Sequence, residues 1–433
     1  VQKINQAFLL LTILFFMTRC LFAHSKDITF KNISIDQGLS QSIVECIIQD
    51  SKGFMWFGTQ DGLNKYDGME FTIIKQNPHS SNSLSYNHIS AICEDSQGIF
   101  WIGTKHGGLN KYDPKTDKYT RYMFNSKNLR SISSNRIHSI IEDKSGILWI
   151  ATNNGLNKFN KETETFVRYQ NHPDDPSSLS HNGVASIVEG KDGVLWVGTH
   201  GGGLNKMDKE TGSFKIYRHI REDPQSLSHN ELKIIYCDKN GFLWIGTNGG
   251  GLNRMDPDRG TFISYKHIPE DPNSLSNDVI NAIYEDEKGR LWIGTKEGGL
   301  NEFDKEKEKF YAYKKDPIDR GSLSDNDVIS IYEDRSGVMW VGTYGGGISM
   351  FNNDHKAFNT YRNNPQNANS LNNNIVWSFC EDPSGDLWIG THRGGLNRWD
   401  RITNRFTQYK HVQGNPNSLS CNTVRVLFLD REG

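Results

Sequence analysis

A tryptophan recurs through this chain at a nearly fixed interval, and that period limits the possible folds more than any other feature. Trp56, Trp101, Trp149, Trp196, Trp244, Trp292, Trp340 and Trp388 stand 45, 48, 47, 48, 48, 48 and 48 residues apart, each inside Leu-Trp-Ile-Gly-Thr or a close variant. Repetition at such an interval marks architectures in which each unit buries its apolar surface only against its neighbours. The tryptophan and the residue after it point to opposite faces of a strand, so both faces of every unit need cover.

Each copy contains four short strand-like runs separated by turn signals. In the sixth they are VINAIYED (279–286), RLWIGT (290–295), LNEFD (300–304) and Phe310 to Tyr313, with a link carrying Ser322-Leu323-Ser324 into the next copy. The Glu-Asp-x-x-Gly segment between the first two runs suits a hairpin whose glycine takes positive φ. One or two carboxylates close in sequence fall short of the six or more oxygens calcium takes, so Asp286 and its equivalents read as turn residues. An all-β fold follows: a β-propeller of four-stranded blades, about 48 residues each. Trp399-Asp400 imitates a WD dipeptide but fills the slot of Tyr66-Asp67 and Phe303-Asp304, and is discounted as a WD40 signal.

Residues 29–40 (TFKNISIDQGLS) echo the fourth strand and link of later copies, so an outer strand precedes the first full copy. Copy seven reads Gly347-Ile348-Ser349-Met350 where others read Gly-Leu-Asn-Lys, which places ring closure there. The expected organisation is a signal peptide over 1–23, a seven-bladed propeller over 24–353, and the first part of a second, truncated propeller over 354–433. Eight blades in one ring stay open as an alternative.

Lys3, the apolar run from Ala7 to Met17, and Ala23 before a polar stretch read as an export signal. The run is too short to span a bilayer as a helix. Arg19 before Cys20 argues against a lipoprotein signal. With 49 basic and 51 acidic side chains spread along the chain, no basic stripe exists to neutralise a phosphate backbone, which weighs against nucleic-acid binding. The six cysteines show no CxxC spacing, and an odd number remains once Cys20 leaves with the signal, so neither a metal site nor a disulfide framework is expected. No cofactor is called for.

Two sets of slots vary from copy to copy on an otherwise repeated frame. The turn between strands two and three carries Gln60-Asp61, Lys105-His106, Asn153-Asn154, His200, Asn248, Lys296-Glu297, Tyr344 and His392-Arg393. The innermost strand carries Glu45, Ser90, His138, Ala185, Lys233, Asn281, Ile329 and Trp377. Both sets fall at one end of the blades, where polar side chains on a rigid scaffold make a recognition surface. Amides, charges and aromatics there suit sugar hydroxyls and uronate or sulfate groups. A protein-binding scaffold is the alternative. A polysaccharide lyase or hydrolase is the third reading, although no histidine pair has metal-ligand spacing and no Gly-x-Ser-x-Gly elbow occurs.

The unit Gly-x-[Leu/Met]-Trp-[Ile/Val]-Gly-Thr-x-x-Gly-Gly-Leu-Asn-[Lys/Arg], the Ser-Leu-Ser links, and Gly38-Leu39-Ser40 ahead of residues 53–59 (GFMWFGT) resemble the two-component regulator propeller family. The resemblance covers nearly everything after the export signal. It implies two seven-bladed propellers in the periplasm, then a small β-sandwich, a membrane helix and cytoplasmic modules, often a histidine kinase, a receiver and a helix-turn-helix output. Such hybrid two-component systems, typical of Bacteroidetes, sense glycan fragments. The implied role is the periplasmic, non-enzymatic sensing region of an inner-membrane homodimer with an oligosaccharide ligand. Membrane contact and kinase chemistry belong to parts beyond this sequence.

Overall fold

The computed structural model describes residues 28–352, 361–365, 367 and 369–430. The export signal read over 1–23 lies outside the described residues. The chain divides into two compact units, Val1–Asp354 and His355–Gly433. The described residues form eight four-stranded antiparallel sheets.

In the first blade the strands are Val44–Gln49, Met55–Thr59, Gly62–Tyr66 and Phe71–Ile74, paired in sequence order from the axis outward. The same meander recurs over 89–122, 137–169, 184–217, 232–265 and 280–313, and in the second unit over 376–409. Boundaries read from the sixth copy agree with its strands Ile280–Glu285, Leu291–Thr295, Gly299–Asp304 and Lys309–Tyr313 to within a residue.

The seventh blade takes only three strands from its own stretch, 328–352, and its outer strand is Lys31–Ile33. The register is Lys31 to Met350, Asn32 to Ser349 and Ile33 to Ile348. Where other blades carry an asparagine, Ser349 donates its hydroxyl to Asn32 Oδ1 at 2.7 Å, so the shorter side chain admits a partner from the other end of the ring. Pairing of distant segments leaves no open sheet edge at the seam.

The second strand of each blade in the first unit is buried on both faces, as the paired tryptophan and aliphatic residue require. Apolar clusters sit between consecutive blades: Trp101 packs with Ile137, Ile140 and Leu148 of the next blade, and Trp196 with Leu232, Ile235 and Leu243. Trp340 of the seventh blade joins Val44, Ile47, Met55 and Phe57 of the first together with Ile33, closing the core around the ring. Near the axis the blades converge so tightly that a Cβ on Gly103 would come within 2.5 Å of Ile137 Cγ2.

Polar residues lock this frame. The tryptophan N–H donates to the aspartate of the preceding hairpin, as in Trp56 to Asp50 Oδ2 at 2.8 Å and Trp149 to Asp143 Oδ2 at 2.9 Å. The other aspartate oxygen accepts two hairpin N–H groups, from Ser145 and Ile147 in the third blade, both at 3.0 Å. Asp286 therefore serves as a hairpin cap, accepting from Trp292 Nε1 and Arg290 N. At the other end, the second serine of Ser-Leu-Ser exchanges hydrogen bonds with the Gly-Leu-Asn asparagine: Ser180 N donates to Asn205 Oδ1 and Asn205 Nδ2 to Ser180 Oγ. These bonds fix where each turn between strands two and three sits.

Candidate functional site

The inner strands of the first unit stand side by side around the axis, first against second and so on to seventh against first. In blades two to seven, the residue immediately before the inner strand accepts, through its carbonyl, the N–H of the residue after the repeat threonine. Lys105 N donates to His88 O, Asn153 N to Arg136 O, His200 N to Gly183 O, Asn248 N to Glu231 O, Lys296 N to Val279 O and Tyr344 N to Asp327 O, at 2.8 to 3.2 Å. One backbone bond in each of these six blades thus pins a variable turn side chain beside the start of the inner strand. Alternation along a strand puts the residue before the first aliphatic position and the one after it on the same face. Arg136 and His138 flank Ile137 in this way, and Glu231 and Lys233 flank Leu232.

These groups meet at one end of the channel. His88 Nε2 lies 3.0 Å from Glu45 Oε1, which also accepts from Gln60 Nε2 at 3.3 Å. His138 Nε2 is 3.2 Å from Asn153 Oδ1, and its ring stands edge-on to His200 with centroids 5.3 Å apart. Asn248 donates to Glu231 Oε1 at 2.9 Å. Lys233 Nζ donates to Asn281 Oδ1 at 2.5 Å, and Asn281 Nδ2 to Asp327 Oδ1 at 2.9 Å. Ser90 turns inward to the backbone, donating to Ile137 O.

Burial and mutual charge displace these groups. Burial foremost pushes His138 down to about 4, with His200, Lys105 and Arg136 acting the same way against the Asn153 hydrogen bond. His200 is also lowered, again chiefly by burial, with Glu231 opposing. Burial lowers Lys233 against the pull of Asp327, and Lys296 adds to the lowering. Asp327 is raised by burial, with Lys233 acting against it. Burial acts to raise Glu45, but the His88 bond, Lys105 and the Gln60 bond outweigh it and hold the carboxylate below its ordinary value. Lys233 on the fifth blade also feels Glu45 on the first, so charges interact across the channel. Arg136 Nε is buried with no hydrogen-bond partner among the described residues. A buried donor left open in this way costs stability that a ligand oxygen would recover.

The structure sorts the sequence candidates. Lys105, Asn153, His200, Asn248, Lys296 and Tyr344 take the pinned slot, near His138 and Lys233, and Gln60 in the equivalent position reaches Glu45 through its side chain. The following slot is turned elsewhere. Asp61 accepts from Lys75 Nζ at 2.6 Å and from Asn87, Asn154 donates to Ser133 O, and exposed His106 stands edge-on to Tyr86. Glu297 sits exposed at a φ of 59°, a left-handed turn position. His392, Arg393 and Trp377 belong to the second unit, where Trp377 lies 5.9 Å from the His392 ring and under the Arg425 guanidinium. Ala185, on the inner strand of the fourth blade, is buried, and Ile329 is half-buried. Arg136, His88, Glu231 and Asp327 were missed. Their signal was present: the residue before the first aliphatic position varies as freely as the one after it.

No group of three or more His, Cys, Asp or Glu with metal-holding geometry occurs among the described residues. No helix there is long and apolar enough to cross a membrane.

Comparison with known proteins agrees with this architecture. The model of the two component regulator propeller matches residues 38–61, 83–106, 131–154, 178–201, 226–249, 274–297, 322–345 and 370–393. The chain carries two-component regulator propeller repeats. Each match runs from the link before a blade to the turn after the repeat threonine, so it contains both the structural tryptophan and the pinned slot. The extracellular domain of a putative hybrid two component system from B. thetaiotaomicron is similar at 30% identity and a TM-score of 0.68, over 88% of this chain and 49% of that one. Histidine kinase P4 of Formosa agariphila is 45% identical over 69 residues, 16% of this chain and 5% of the kinase. Virginiamycin B lyase from Staphylococcus aureus, at 14% identity and a TM-score of 0.56 over 75% of this chain and 99% of that one, shares the fold alone. The chain spans about half the length of the extracellular domain it matches, and the likeness supports a sensor propeller role.

Proposed function

We propose that this chain is the ligand-sensing region of a hybrid two-component signalling protein, held in the periplasm, and that its channel end binds an oligosaccharide. The observation that carries the reading is the set of charged and imidazole groups contributed by separate blades whose pKa values burial displaces, with half-buried Arg136 near His138 and His200 and its buried Nε without a hydrogen-bond partner among the described residues. Structural ion pairs satisfy their members, whereas this arrangement leaves a buried donor without a partner.

Lys105, Arg136 and Lys233 offer charge to a uronate or sulfate, while Asn153, Asn248 and Glu231 suit hydroxyls. A ligand touching several blades senses their relative positions. If it favours one arrangement of the sensor dimer over another, it shifts that equilibrium by its difference in affinity. Through the remainder of the protein this regulates a histidine kinase and a transcriptional output.

The test is a thermal-shift screen of the complete periplasmic region against plant, host and microbial oligosaccharides, neutral and anionic, with products assayed afterwards. A ligand in excess of its dissociation constant raises the melting temperature by mass action. An intact, stabilising oligosaccharide is the expected result. Cleavage of any member would replace the sensor reading with an enzyme, and silence across the panel would favour a protein partner.

A further inference from the structure

At the end of the blades opposite the channel site, neighbouring hairpins are joined by a repeated ionic clasp. Lys161 bridges Asp95 and Glu142 at 3.0 and 2.5 Å, Lys209 bridges Asp143 and Glu189 at 2.9 and 3.0 Å, and Lys305 bridges Asp238 and Glu285 at 3.6 and 2.6 Å. Between the fourth and fifth blades all three members are replaced together, by Gly190 for the aspartate, Pro257 for the lysine and Cys237 for the glutamate. Between the first and second blades Pro114 replaces the lysine alone while Asp50 and Glu94 remain, so the fourth–fifth gap differs in having lost both carboxylates as well.

What remains is a cavity of about 340 Å³ whose lining includes Gly190, Asp192, Trp196, Phe242, Asp256 and Pro257. Trp196 is only 1% exposed, and Gly190 stands where the other blades place the aspartate that accepts from the tryptophan Nε1. The other seven repeat tryptophans donate to a hairpin aspartate. A Cβ on Gly190 would lie 3.1 Å from Trp196 Nε1, which locates the N–H at the emptied aspartate position. The same Cβ would lie 2.9 Å from Asp192 Oδ1, so a carboxylate already leans toward that space, and with Asp256 and Asp258 against Lys191 the lining carries more acidic than basic groups.

We propose that this gap is a second binding site, taking a neutral hydroxyl-rich ligand such as a saccharide terminus. A hydroxyl accepts from Trp196 Nε1 and donates to Asp192 or Asp256, a dual role that neither a carboxylate nor an ammonium can fill. Phe242 and Pro257 supply apolar surface for a sugar ring. The site lies at the other end of the blades from the charged ring and stands whether or not that ring binds a ligand.

The experiment follows the indole N–H signals of the full chain by NMR, with Trp196→Phe identifying one of them. The probes are maltotriose, cellotriose, xylotriose and mannotriose, with sodium acetate as the carboxylate control. Trp196 N–H should exchange with solvent at least ten times faster than the aspartate-bonded Trp149, and at least one trisaccharide should move it. Gly190→Asp, which returns the carboxylate, should slow the exchange and weaken the trisaccharide response at least ten-fold. Gly190 has no left-handed φ, and the nearest obstacle to a side chain there is the flexible tip of Asp192. Pro257→Lys, which returns the ammonium, serves as a second blocking variant if the first does not fold. Slow exchange at Trp196, no response to any trisaccharide, a response to acetate alone, or an undiminished response in whichever blocking variant folds would overturn the proposal.

Discussion

The two ends of each blade use the same backbone and spend their polar groups differently. At the hairpin end, Asp143 satisfies Trp149 Nε1, two backbone N–H groups and Lys209, and nearly the same set recurs around Asp95. At the channel end, positions equally fixed by the backbone carry His138, His200, Lys233 and Asp327, all shifted from their ordinary protonation by burial. Repetition is tolerated where the side chain holds the frame. Variation appears where the frame is already held by backbone bonds such as Asn153 N to Arg136 O.

That contrast can be broken most forcefully at the hairpin end. Trp149→Ala should destabilise the propeller by about 4 kcal/mol, through lost burial and the cavity left between two blades, read from chemical denaturation. Asp143→Ala should cost about 2–3 kcal/mol by stranding the buried indole N–H and the hairpin amides. A loss under about 0.5 kcal/mol in either variant would show that the hairpin end is no more structural than the channel end.

The channel end should announce itself through pH. His138 has an ordinary value of 6.5 and a folded value of about 4, so the unfolded chain takes up its proton first as pH falls. The stabilisation is complete above 6.5 and is lost progressively between 6.5 and 4. With allowance for partial exposure the loss is about 1–2 kcal/mol. His138→Asn should flatten that part of the stability profile, leaving the smaller slope due to His200, which is shifted in the same direction. An unchanged profile would remove His138 from the buried set.

Arg136→Ala sharpens the comparison with the smallest effect of all. Because its Nε has no partner to strand, stability should stay within about 0.5 kcal/mol, while the thermal shift produced by an anionic oligosaccharide disappears. A large loss of stability would make Arg136 part of the frame.

Much of this was legible from periodicity. The tryptophan interval and the alternation inside each copy are local patterns, and they led to four-stranded blades within a residue of the observed strands. The candidate site was legible only as slots. Asp61 and Gln60 are adjacent and both polar, yet one is tied to Lys75 and Asn87 while the other reaches Glu45 on the inner strand. Turn geometry decides between them, and a variable polar turn contains no mark of it. The pattern of the emptied clasp was also present, in Gly190, Cys237 and Pro257, but these lie far apart in sequence and read separately as ordinary substitutions.

The sequence by itself determined the unit, its four strands, the hairpin turn between the first two, and which slots escape repetition, because each depends on residues within about one period of each other. An outer strand ahead of the first copy and closure at copy seven were also legible, whereas tertiary structure alone set the register that pairs Lys31 with Met350 and Ile33 with Ile348. It also brought Glu45 within electrostatic reach of Lys233 and left Trp196 facing an empty clasp. Those outcomes depend on how blades pack around an axis, where groups hundreds of residues apart become neighbours and burial turns ordinary polar side chains into displaced charges.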